Sequence, residues 1–271
     1  MENVIKFEKT KFINRVKSML LVDFRRILKS RLFYIIMGIS LIVPVLIVIM
    51  TTMMDGTVTV DPQTGAETVM EGFKNAWESI GTVSGASVDQ AQAMSLTSMC
   101  NINLVYFGIA VFICLFISDD FRSGYSKNLF TVRAKKSDYI ISKTIIGFIV
   151  GAIMLILYFI GAMLGGAISG LPFVMEGFNA GNIVMCMISK IFVMAVFVAI
   201  FTLISISTKK KAWLAILISL GGGMLLFMMI PMMTPLNAGI INVVICLAGG
   251  LLFSIGLGVI SNIILKKTSL V

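Results

Sequence analysis

Histidine does not occur among the 271 residues, and charge is scarce, with only 13% of positions Asp, Glu, Lys or Arg. The first absence removes the commonest metal ligand and the side chain most used to move protons near neutral pH. The second is more restrictive, because a soluble domain carries about 25% charged residues and needs them as a solvated shell. With 58% apolar residues and a mean hydropathy of +1.01, this chain cannot build one. Cys100, Cys114, Cys186 and Cys246 lie far apart, within or at the ends of apolar runs. That is neither a disulfide framework nor a zinc-ligand spacing. No G-x-x-x-x-G-K-[ST] stretch occurs, and Gly221, Gly222 and Gly223 have no lysine near enough to serve a phosphate, so the chain does not hydrolyse ATP alone. Paired carboxylates deep in an apolar run are also missing. Intramembrane acid–base and metalloprotease chemistry therefore lack residues, and a proton-driven carrier lacks its usual carboxylate.

What the chain has is six apolar runs of about 20 residues, the length that spans a hydrocarbon core of about 30 Å. They cover 32–54, 99–118, 144–169, 183–207, 212–233 and 240–265. The first, at about 23 residues, exceeds the 7–15 of a signal-peptide core and lacks a small-residue cleavage site, so it reads as a retained helix. Of the 22 Lys and Arg, all but Lys74 and Lys190 lie in the N-terminal arm, in 119–143, at 209–211 or in the tail. The alternate loops hold seven acids and Lys74. Basic loops stay in the cytoplasm, which puts both termini inside. The net charge of +9 is therefore a topology signal and an attraction to anionic lipid, not a nucleic-acid footprint.

Two segments outside the runs have a pattern. In the arm, Phe12, Ile13, Val16, Leu20, Phe24, Ile27 and Leu28 separate from most of the cations on a 3.6-residue wheel, as in a basic helix lying in the membrane interface. It serves either as a positive-inside anchor or as a lever that touches a cytoplasmic partner. The external segment 55–98 is acidic and glycine-rich, with an amphipathic patch around Phe73, Trp77 and Ile80. It reads as a solvated connector or a short surface helix.

The stretch 119–143 is longer than a connector needs. Asp119 and Asp120 are followed by Phe121-Arg122-Ser123-Gly124-Tyr125, then Lys127, an apolar Leu129-Phe130 pair, a basic turn with Arg133, and Lys143 opening the third run. This resembles the span 2–3 region of type 2 ABC exporter permeases, as do the amphipathic N-terminal helix, the six spans and the broken outer end of the fifth. Tyr125 stands where threonine is common in that family, and Thr131-Val132-Arg133 lacks a frequent proline.

The resemblance implies an all-α integral membrane fold in a bacterial plasma membrane. Residues 1–31 form the connecting helix and residues 32–271 the six-span domain, with a short coupling helix between spans 2 and 3. It implies ATPase-coupling roles for Asp119, Asp120, Phe121, Arg122, Gly124, Tyr125, Lys127, Leu129, Phe130, Arg133 and Lys143. It also implies a second permease copy or a related permease, two copies of a separate ABC ATPase that holds ATP and Mg, and no cofactor on this chain.

Within the runs, Gly147, Gly151, Gly161 and Gly165, and Gly250, Ser254 and Gly258, have the small-xxx-small spacing of close helix packing. Met224, Met228, Met229, Met232 and Met233 read as adaptable apolar lining or lipid contact; without histidine beside them a copper path is the weaker alternative. Pro231 and Pro235 should break the fifth run. Lys190, inside the fourth, either snorkels outward or faces a polar route, and Asn101, Asn103 and Asn242 are ambiguous in the same way. A substrate route would draw on Asn101, Asn103, Lys190, Met228, Met232 and Asn242. An apolar, charge-poor interior suits an amphipathic peptide, toxin, drug or lipid-like cargo. The alternative is an ATPase-independent membrane protein such as a bacteriocin-immunity protein or secondary transporter. In a background with the native cysteines replaced, a cysteine at position 74 should react with an impermeant reagent in intact cells and one at position 210 should not; labelling at 210 overturns the topology.

Overall fold

A computed structural model describes residues 12–60, 67–83, 100–132, 135–227 and 229–267. Arg133 and Met228 lie outside the described residues, as does 84–98 of the external segment. Helices α1 (Phe12–Lys29), α2 (Arg31–Met53), α3 (Val105–Arg122), α4 (Tyr125–Val132), α5 (Lys136–Ile168), α6 (Ala180–Thr208), α7 (Ala212–Phe227), α8 (Ile230–Met233) and α9 (Ile240–Lys267) follow in order. Among the described residues, five helices are long and apolar enough to cross a membrane: α2, α3 with the 3₁₀ turn Ile102–Leu104 before it, α5, α6 and α9. The fifth apolar run yields only the 16-residue α7. A break and the four-residue α8 follow, with Pro231 in the first turn of α8, where a missing N–H costs nothing.

The stretch 119–143 is not a loop. Asp119 and Asp120 belong to α3, and α5 begins at Lys136 and runs for 33 residues, about 50 Å. Between them, Gly124 sits at φ +76°, a left-handed corner that glycine adopts without strain. It lets α4 leave α3 after two residues.

Glycines set the packing of α5, as their spacing suggests. A Cβ on Gly161 would meet the Leu41 carbonyl and Pro44 of α2, and one on Gly165 would meet Val45 and Val48. Toward the other end, Gly147 faces Val198 and Ile113 while Gly151 faces Met194. The stripe thus seats α2 at one end of α5, and α3 and α6 at the other. On α9, Gly250 closes on the Phe192 carbonyl of α6, whereas Gly258 faces open space.

Helix α1 has three faces where the sequence suggested two. At 100° per residue, Val16, Met19, Asp23 and Ile27 form the buried face. Leu21, Phe24 and Leu28 form an exposed apolar face, and Val22, Arg25, Arg26 and Lys29 line a cleft on the third.

Among the described residues, the fold is all-helical apart from a short hairpin in the external segment, which departs from both readings of that segment. Val58–Val60 (β1) and Glu67–Val69 (β2) pair antiparallel, and a 3₁₀ turn, Ala76–Ser79, follows. Phe73, Ala76 and Ile80 are buried, so the segment caps the bundle. Its backbone is tied down: Ala76 N donates to the Pro172 carbonyl at 3.1 Å and Leu236 N to the Thr82 carbonyl at 2.9 Å. Trp77 meets Phe173 edge-on at 5.8 Å.

Gly161→Ala is expected to lower stability by about 1–3 kcal/mol, because Leu41 backbone must yield. Gly249→Ala, facing open space, should be neutral or gain up to about 1 kcal/mol of helix propensity. Thermal unfolding of the two variants in detergent checks the pair, and equal midpoints would contradict the packing.

Candidate functional site

Where α1, α3, α4 and α5 meet, four charges are gathered. Asp23 and Asp120 are each 0% exposed, a position carboxylates hold only when paired. Lys143 Nζ donates to Asp23 Oδ1 at 2.9 Å and to Asp120 Oδ2 at 2.7 Å. Arg26 Nη2 donates to Asp120 Oδ1 at 2.6 Å, and its Nη1 lies 3.6 Å from Asp23 Oδ1. Hydroxyls complete the shell: Ser142 Oγ donates to Asp23 at 2.7 Å and Tyr139 to Asp120 at 3.0 Å. The cations are stacked as well, Lys143 over Phe116 at 3.8 Å and Arg26 over Tyr125 at 3.9 Å. Burial by itself works against the Arg26 cation, but the charge and hydrogen bond of Asp120, together with Tyr125 and Asp23, outweigh it, and the guanidinium is held above its ordinary range. A second tie joins α1 to α5, from Arg15 Nε to Asp138 Oδ2 at 2.9 Å.

This geometry sorts the residues named from sequence for coupling. Asp120, Phe121 and Lys143 are buried within this chain. Leu129 and Phe130 pack inward as well, Phe130 edge-on to Tyr139 at 5.3 Å; their apolar side chains complete the protein's own core. Tyr125 is spent on Arg26 and Gly124 on the corner. Asp119, Arg122 and Lys127 are the members of the set that are exposed. The wheel reading missed Asp23 and Arg26. Asp23 is the sole acid between positions 12 and 29, and it falls in register with Val16, Met19 and Ile27, which is the signal that marked it.

A second polar cluster lies at the other end of α3. Lys190 is 0% exposed, so it does not snorkel. Its Nζ donates to Asn103 Oδ1 at 2.9 Å and to Thr234 Oγ1 at 3.0 Å. The Tyr106 hydroxyl donates to the Lys190 carbonyl at 2.8 Å, and Cys186 Sγ to the Thr234 carbonyl at 3.4 Å. Asn101 is adjacent, accepting from Asn103 N at 3.0 Å. No carboxylate pairs with Lys190 among the described residues. Asn242 is separate: its Oδ1 accepts from Gly239 N at 3.1 Å and its amide donates to the Met233 carbonyl at 3.3 Å. Met232 is 80% exposed and faces away, as do Met224 and Met229. Of the residues named for a route, the structure unites Asn101, Asn103 and Lys190 and leaves Met232 and Asn242 outside the cluster.

The two lysines should respond oppositely to removal. Lys143→Met strands two buried carboxylates with one arginine, and breaking such a group costs about 3–5 kcal/mol. Lys190→Met removes two charge-assisted hydrogen bonds to neutral acceptors but also relieves the cost of burying an unbalanced cation, and the two offset, so stability should stay within about 1 kcal/mol. Unfolding midpoints of the purified variants test this, and a Lys190→Met loss as large as that of Lys143→Met would contradict it.

A profile described as ABC-2 family transporter protein matches residues 19–225. That span takes in α1 from Met19 onward, the charge cluster, the Lys190 cluster except Thr234, and most of α7. No curated protein and no solved structure matches the chain. The five long apolar helices, the four-charge junction of α1, α3, α4 and α5, and a profile match over most of the length lead to one conclusion: the chain belongs to the ABC-2 transporter family and is a multi-pass membrane permease.

Proposed function

We propose that this permease is the membrane subunit of an ATP-driven exporter in a bacterial plasma membrane. It crosses the bilayer six times with both termini cytoplasmic, α7 and α8 together making the fifth crossing. It works as a dimer with itself or a related permease, on two copies of a separate ATPase that binds ATP and Mg. Helix α4 is the coupling helix and α1 the connecting helix.

The observation that carries this reading is how α4 is mounted. One side of it is fixed to the buried charges through Tyr125 over Arg26 and through Phe130 on Tyr139. Its other side presents Lys127 and Asn128, with Arg122 just before the corner, to solvent. A push on that side cannot move α4 alone, because the ion network binds it to α1, α3 and α5 together. Alternating access needs such a rigid handle on a set of helices with two arrangements. The cargo is amphipathic or lipid-like. An apolar cavity of about 250 Å³ between α2, α3 and α5 supports this, lined by Ile36, Val43, Leu104, Gly108, Met154 and Tyr158.

The test is reversal of the exposed charges. Arg122→Glu combined with Lys127→Glu should abolish copurification with the ATPase and cargo-stimulated hydrolysis, while thermal stability stays within about 0.5 kcal/mol, as for surface substitutions generally. A double variant that copurifies and keeps stimulated hydrolysis overturns the role of α4.

A further inference from the structure

The cleft on α1 is not used by the coupling reading. Its walls are Val22, Arg25, Arg26 and Lys29, spaced i, i+3, i+4 and i+7 on one stripe of the helix. Arg25 and Lys29 are exposed and form no ion pair with the described residues. Arg25 and Lys29, four residues apart on one stripe of the helix with no acid lining the cleft, repel one another, an arrangement that an anion would relieve.

Depth selects the anion. Lys29 is the last residue of α1, and α2 begins at Arg31 after Ser30 alone. The cations therefore lie within about 10 Å, along the chain, of the start of a membrane-spanning helix, which is the level of lipid phosphates. The face of α1 next to the cleft carries Leu21, Phe24 and Leu28, all exposed, and such a face lies against acyl chains. A cationic cleft beside an apolar edge at that depth is complementary to a phosphate with chains attached, and less so to a free phosphate or an acidic peptide.

We propose that Val22, Arg25, Arg26 and Lys29 form a binding site for the headgroup phosphate of one acidic phospholipid. Arg25 and Lys29 supply charge-assisted hydrogen bonds to the phosphate oxygens, and Val22 covers the glycerol end. Arg26 is shared, holding Asp120 at 2.6 Å while lining the cleft. The lipid is thereby seated one side chain away from the buried charges, and it holds α1 against the bundle at the membrane surface.

The experiment uses the full chain reconstituted in vesicles of phosphatidylcholine with a minor fraction of phosphatidylglycerol. The protein is then extracted in detergent, and retained lipid is counted by native mass spectrometry; extraction removes the general surface potential and leaves only specific contacts. Wild-type protein should retain one phosphatidylglycerol in preference to phosphatidylcholine. Arg25→Gln with Lys29→Gln should reduce that retention at least about tenfold, since each lost bond to a charged group is worth that much or more. Lys17→Gln with Lys210→Gln removes the same charge from exposed positions off the cleft and should retain the lipid. Inorganic phosphate at high concentration should not displace it. Undiminished retention in the cleft variant, equal loss in the control variant, or displacement by inorganic phosphate would each overturn the site. Copurification of the ATPase, read on the same variants, keeps this outcome separate from the role of α4.

Discussion

Two carboxylates and a lysine shut away from water, with an arginine that is partly exposed, hold four helices of this protein in one piece. Taking any of them out of water alone is prohibitive, and together they are stable only because every charge has an opposite neighbour within hydrogen-bond reach. The arrangement is neutral overall: Asp23 and Asp120 against Arg26 and Lys143. Because the interactions are short and the medium around them is poorly screening, they strengthen one another. They also leave little freedom for one helix to shift without the rest. The short α4 would be a weak element by itself, since eight residues do not sustain a helix in water. Its order is borrowed from the charges beneath it.

Helix α3 carries this constraint across the membrane. At one end Asp120 joins the charge cluster; at the other Asn103 and Tyr106 hold Lys190 and its carbonyl. The two ends differ in kind. The Asp120 end is an ionic balance, hard to open without stranding a charge. The Lys190 end is a lone cation on neutral acceptors, with Thr234 contributed from beyond the break after α7, and parting it breaks two hydrogen bonds but no ion pair. That end lies under the cap formed by residues 73–82.

Much of the architecture was legible as hydropathy and charge. The apolar runs located the long helices to within a few residues, because lipid leaves few other solutions, and the α5 glycines announced close packing. The boundaries failed where polar residues continue a helix: Asp119, Asp120 and Lys143 read as loop because they are charged, yet their partners lie in other helices and let them stay helical. Nothing local distinguishes a lysine that will be paired from one that will not, yet among the described residues Lys143 meets two carboxylates and Lys190 none. The hairpin and its cap were hidden because burial of Phe73, Ala76 and Ile80 depends on Pro172 and Leu236, far away in the chain. The third face of α1 was obscured because Asp23 belongs to the buried stripe despite its charge.

The span between Asp23 and Lys143, 120 positions, has a consequence for how the chain is made. At roughly 5–20 residues per second of synthesis, Lys143 leaves the ribosome about 6–24 s after Asp23. Throughout that interval Asp23 has only Arg26 to balance it, and Asp120 exists for barely the last second or a few before its lysine arrives. The N-terminal helix must then wait at the membrane surface, kept soluble by its own cations, until α5 inserts and its glycines dock on α2. Closure of the charge cluster thus waits for the third membrane span, and a nascent chain arrested before Lys143 holds Asp23 with Arg26 alone to balance it.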